Sequence, residues 1–188
     1  MKKIKLFLAS SNELKPERER FEIEIYRKCK AWWDRGIFLH LDIWEDLSAR
    51  MSLEGSQSEY NKFVQAADIF VLLAYTKVGM YTAEEFEKAF GQFQSTRKPF
   101  IFTYFKNPPE TTDNSLAQFK QKLSDLHHFY SPFMDANDLW NQFNKELERL
   151  ETKEFKEFLQ PEGQSNRTIT QNAEKIYIID KIDKANFS

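Results

Sequence analysis

Ile69-Phe70-Val71-Leu72-Leu73-Ala74 places six apolar residues in a row with no polar alternation. A strand with one wet face alternates; a strand covered on both faces does not, and central strands of parallel sheets have that covered habit. Just upstream, Tyr60, Phe63, Val64 and Ala67 recur at helical spacing before Asp68. Ser56 or Ser58 stands where an N-cap is needed, so this stretch reads as a helix burying those four residues. Downstream, Lys77 to Tyr81 reads as a loop containing Gly79. Thr82 then starts a helix with Phe86, Ala89, Phe90 and Phe93 on its inner face. Lys98-Pro99 ends that helix, and Phe100 to Phe105 is a further strand.

The alternation extends both ways. Ile4 to Ala9 is strand-like and closes on the turn signal Ser10-Ser11-Asn12. Pro16 suits the first turn of a helix, in which Phe21, Ile25, Cys29 and Trp32 form one apolar stripe that Gly36 stops. Trp32 and Trp33 are adjacent, so one of them faces outward. Ile37 to Trp44 is the second strand, and Glu45 to Gly55 a loop. Four strands thus alternate with three helices, which implies right-handed crossovers. The fold class is α/β: a flavodoxin-like, doubly wound parallel sheet of about five strands with helices on both faces.

Beyond a polar loop at Asn107 to Asn114, Leu116, Phe119, Leu123 and Leu126 make another helical stripe. His128 to Phe133 reads as a short last strand. Leu139, Trp140, Phe143, Leu147 and Leu150 then start a helix that runs on toward Leu159. Pro161 to Asn172 has the Gln, Ser, Asn and Thr content of a linker, and Ala173 to Ser188 reads as a connector or assembly segment. The expected organisation is one domain over residues 1–160 and a linker with connector over 161–188.

Composition removes several classes. A net charge of −2 argues against a broad nucleic-acid-binding surface. Cys29 is the single cysteine, which excludes an intrachain disulfide and a cysteine-based zinc site. His40, His127 and His128 lack metal-ligand spacing, so no metal is expected. No apolar run reaches the roughly 18 residues that span a bilayer, and Met1-Lys2-Lys3 leads into a strand rather than a signal peptide. The expectation is a cytoplasmic protein without membrane contact. With five Gly and none in the loop directly after the first strand, there is no dinucleotide fingerprint and no Walker loop.

Four segments resemble a bacterial TIR domain. They are Lys5-Leu6-Phe7-Leu8-Ala9-Ser10-Ser11, Leu39-His40-Leu41-Asp42-Ile43-Trp44-Glu45-Asp46, Ala67-Asp68-Ile69-Phe70-Val71-Leu72-Leu73, and Val78-Gly79-Met80-Tyr81-Thr82-Ala83-Glu84-Glu85-Phe86. The resemblance covers roughly residues 3 to 150. In the NAD-cleaving members of that family an aromatic residue precedes the catalytic Glu by four positions, and Tyr81 and Glu85 have that spacing. Thr82-Ala83-Glu84-Glu85 is also similar to the glycosidic-bond motif of nucleoside deoxyribosyltransferase-like folds. Both resemblances point to Glu85. The TIR resemblance implies an NAD+ glycohydrolase of anti-phage defence or signalling. It also implies activation by self-association through TIR–TIR contacts. The segment from Ala173 to Phe187 is similar to connectors of conflict-system proteins, which implies a further domain or partner joined there.

The chemistry fits one carboxylate. Breaking the nicotinamide–ribose bond develops an oxocarbenium-like ribose, and a carboxylate beside it stabilises that charge. The leaving group is already a cationic pyridinium and needs no general acid. NAD+ is then substrate, and no cofactor is expected. Ligands of open parallel sheets sit beyond the strands' carboxyl ends, near the switch in strand order. Ser10, Ser11, Trp44, Asp46, Lys77 and Tyr81 all follow strand ends, which makes them the substrate-binding candidates. In that role Trp44 or Tyr81 stacks on a base and Lys77 approaches a phosphate. Each has a plainer role too. Thr82 and Glu85 also spell a capping box, Tyr81 a hydrophobic staple with Phe86, and Ser10 and Ser11 a turn. A non-catalytic interaction module and a nucleoside-processing relative stay open beside the glycohydrolase.

Overall fold

The computed structural model describes residues 1–43, 56–107 and 113–159. The elements are β1 (Lys2–Ser10), α1 (Lys15–Trp32), β2 (Ile37–Ile43), α2 (Ser56–Ala66), β3 (Ile69–Ala74), α3 (Met80–Thr96), β4 (Phe100–Lys106), α4 (Asn114–Asp125), β5 (Ser131–Phe133) and α5 (Ala136–Leu159). The strands form one sheet in the order β2-β1-β3-β4-β5, all parallel. After β1 the chain turns one way to β2; after β3 it turns the other way to β4. The switch point therefore lies between the carboxyl ends of β1 and β3.

All six residues of β3 are buried, as the unbroken apolar run requires. Its register sets Phe70 beside Phe7, whose rings stack at 6.0 Å and 2°. On that face Val64 of α2, Phe86 and Ala89 of α3, and Leu116, Phe119 and Leu123 of α4 close one core. Leu6 and Leu8 alternate with Phe7 and Ala9 and serve the opposite face. There α1 packs over β2 through its stripe of Phe21, Ile25, Cys29 and Trp32, all buried. Phe21 meets Trp140 edge-on at 6.1 Å, which brings the start of α5 to the same face. Trp33 is the outward member of the tryptophan pair, at 54 % exposure. Gly36 takes the left-handed φ of 73° that ends the 3₁₀ turn after α1.

Asp68 has a structural task. Its Oδ2 accepts from Lys5 N at 3.0 Å and its Oδ1 from Lys98 Nζ at 3.2 Å. Its own backbone accepts from Phe100 N and donates to Lys5 O. It thus pins the amino ends of β1, β3 and β4. Asp68→Ala leaves the Lys5 amide without its acceptor and should cost about 1–2 kcal/mol in urea unfolding.

Two details depart from expectation. Phe63 is 37 % exposed rather than buried, because the core takes Val64 of α2 and Ala67 just past its end. His128 precedes β5, which starts only at Ser131, and it is half-buried against Thr103 Oγ1 at 3.1 Å and the Phe86 ring. Burial holds its pKa below the ordinary histidine value.

The chain divides into two units, residues 1–142 and 143–188. The described part of the second is the continuation of α5 to Leu159. The linker and connector expected over 161–188 lie outside the described residues. No described helix is long and apolar enough to cross a membrane.

Candidate functional site

The site is built on two connections that leave the switch point. The first follows β1. Ser10 and Ser11 are each 7 % exposed. Pro16 sets the first turn of α1, and from that turn Arg18 reaches back. Its Nη1 donates to Ser10 Oγ at 2.9 Å and to Ser11 O at 2.8 Å. Between them a 3₁₀ turn over Asn12–Leu14 presents Glu13.

Glu13 binds the two connections together. Its Oε1 accepts from Ser11 Oγ at 3.0 Å and from Thr76 N at 2.9 Å, and its Oε2 accepts from Thr76 Oγ1 at 2.5 Å. Partial burial raises its pKa, but hydrogen bonds from Thr76, Ser11 and the Lys77 backbone outweigh this and hold it below 4.5. The loop after β3 is held from its other side by α4. Val78 N donates to Ser115 Oγ at 3.2 Å, and Asp113 N to Thr76 O at 2.8 Å.

A half-buried ion pair lies nearby on the α1 face. Lys106 Nζ, at the end of β4, is 2.6 Å from Glu17 Oε1 and 5.0 Å from the Tyr75 ring centroid. Glu17 Oε2 is sealed and has no hydrogen-bond partner among the described residues.

The second connection leads into α3, and here the capping-box expectation is corrected. The helix starts at Met80, with Gly79 as N-cap and no side-chain cap. Thr82 is its third residue, too far in to cap it, and Glu85 its sixth. Tyr81 lies inside the helix at 60 % exposure, so it is not the staple residue. The buried residues of α3 are Thr82, Glu85, Phe86 and Ala89, which share one inward face. Five residues at 1.5 Å each put Glu85 about 8 Å along the helix from Met80.

Glu85 is 6 % exposed and takes no hydrogen bond from any described residue. Its oxygens are nevertheless not among the sealed unpartnered atoms, which are Glu17 Oε2 and Asn61 Oδ1. Burial, and then the like charge of Glu84, push its pKa up to about 7. Glu84 is itself tied to α2, accepting from Asn61 Nδ2 at 3.2 Å.

Ser10, Ser11 and the loop bearing Lys77 are therefore brought together at the switch point, with Lys77 exposed. Glu85 stands on the helix leaving that loop. Trp44 and Asp46 lie outside the described residues. Sequence reasoning missed Glu13, Glu17 and Arg18. A run of Ser, Asn and Glu at a strand end was the available signal for Glu13, but its partner Thr76 lies 63 residues away.

No family profile matches the chain, and no curated protein does. Among solved structures, a conserved protein from Enterococcus faecalis V583 is similar at 16 % identity and a TM-score of 0.39. The match covers 77 % of this chain and 99 % of that one.

Proposed function

We propose that the chain cleaves the nicotinamide–ribose bond of NAD+, switched on by self-association, in bacterial anti-phage defence or signalling. The observation that carries this reading is Glu85: a carboxyl buried on the inward face of α3 with no hydrogen-bond partner among the described residues. A buried carboxyl whose pKa is raised by desolvation is a candidate for chemistry. In the proposed reaction the C1′–N bond breaks and its electron pair leaves with neutral nicotinamide. The ionised Glu85 stabilises the ribosyl cation in a poorly solvated place, where its charge is felt strongly. Water then adds to C1′ and loses a proton. Lys77, exposed in the loop before α3, and Tyr81, exposed in its first turn, would meet the diphosphate and a base. Trp44 and Asp46 would join from the segment after β2. Ser10 and Ser11 would first have to exchange their bonds to Arg18 and Glu13.

A second reading has support from the same residue. A carboxyl half protonated near pH 7 also suits a general acid, which a nucleoside's neutral base needs as it leaves. Incubating concentrated protein with NAD+ and with a panel of nucleosides separates them. The proposal expects nicotinamide and no free nucleobase. Base release from nucleosides alone transfers Glu85 to the second reading, and no release from either leaves an interaction module.

A further inference from the structure

The carboxyl edge leaves one large feature unused. At the amino edge of the sheet, where α1 ends and β2 begins, lies a mainly apolar groove of about 530 Å³. Tyr26, Cys29, Lys30, Trp33, Asp34 and Phe38 line it. Trp33 is 54 % exposed, Tyr26 50 %, and Ile23, one turn before Tyr26, 46 %. The cause is local. The stripe ending at Trp32 takes the buried face of α1, and the next residue is carried round to the outside. The end of α1 and the 3₁₀ turn after it form most of the groove, and Phe38 closes it from β2, an edge strand that among the described residues pairs with β1 alone. Its sequence, Ile37 to Ile43, holds neither the Lys nor the Pro that blunts many edges. Contiguous aromatic surface beside an open edge is a mark of an interaction site.

The charges in the groove indicate the occupant. Lys30 and Asp34 are opposite in sign and four residues apart on the same wall. Among the described residues neither makes an ion pair. A surface carrying one free charge of each sign beside an apolar centre is self-complementary under a two-fold rotation.

We propose that this face receives a second copy of the chain, Trp33 of each copy entering the other's groove and Lys30 of each meeting Asp34 of the other. The pairing leaves the carboxyl edge of both sheets open, and it supplies a surface for the self-association in the functional reading above. Its test does not pass through activity. A dimer without nicotinamide release removes the enzymatic reading and keeps this one. Nicotinamide release by a strict monomer removes this one, and leaves the bond cleavage standing without its activation by self-association.

Sedimentation equilibrium of the full chain over a broad concentration range tests it. The wild type is expected to dimerise. Trp33→Ala should weaken association by about thirty-fold or more, with an unchanged urea midpoint at concentrations where both proteins are monomeric. Lys30→Glu and Asp34→Lys should each weaken it by about ten-fold, because each homodimer then faces like charges twice. Mixing the two single variants restores both ion pairs, so the mixture should associate as tightly as the wild type. A fold defect or a pairing within one chain gives no such rescue. A wild type that stays monomeric, or a mixture as weak as its components, overturns the proposal.

Discussion

Glu85→Gln is expected to abolish most nicotinamide release while making the folded chain more stable at neutral pH and above. The two effects share one cause. Burial and Glu84 raise the Glu85 pKa from 4.5 to about 7. Below 4.5 the carboxyl is neutral in both folded and unfolded chains and has no effect on stability. As pH rises from 4.5 to 7 the unfolded chain ionises first, and stability falls with each unit. Above 7 the folded chain carries the charge too, and the accumulated loss is about 3 kcal/mol. Gln has nearly the same shape and no charge to bury, so its advantage should grow over that window and then level off. Urea unfolding of both proteins across pH measures it directly. The rate should fall by between about a hundred- and a thousand-fold, the scale for losing one preorganised electrostatic contact to a transition-state charge. A variant that is both inactive and less stable contradicts this account. Glu13 has the opposite sign. Its pKa is held down by Thr76 and Ser11, so its stabilising bridge is present above its unfolded value and lost as pH falls.

Phe86→Ala should destabilise the protein by about 4 kcal/mol, the largest loss expected from one residue next to the site. Phe86 is fully buried. Its ring meets Phe119 edge-on at 5.1 Å and stacks on Phe90 at 6.1 Å. Truncation opens a void between α3, α4 and the sheet, which the strands cannot close without breaking register. In a chain of this size the loss corresponds to a fall of roughly 10 °C in Tm. Phe86 and Phe119 share that void, so the double alanine variant should cost less than the sum of the two single ones. Additive losses in thermal unfolding would show that the two rings do not act together.

The sheet was legible because its signals are local and redundant. The unbroken apolar run from Ile69 to Ala74 marks a strand covered on both faces. The stripe from Phe21 to Trp32 marks a helix with one buried side, and Trp33 had to face out once Trp32 faced in. The start of α3 was misread because Thr82 and Glu85 have cap spacing, whereas the backbone already turns helical at Met80 behind a glycine that shows no capping oxygen in sequence. The polar knot was not legible at all. Arg18 with Ser10, Glu13 with Thr76 and Glu17 with Lys106 join residues that meet only after the sheet has formed. Glu85 was singled out by resemblance; its burial, and its lack of a hydrogen-bond partner among the described residues, could be seen only in the folded chain.

The initial rate of nicotinamide release from NAD+, followed from pH 5 to pH 9, tests the central claim most directly. The account expects kcat/KM to rise about ten-fold per pH unit up to about 7 and then level off, following the ionisation of Glu85. Glu85→Gln should lose that ionisation along with the rate. A variant that keeps the wild-type rate and its pH profile would show that another group carries the reaction.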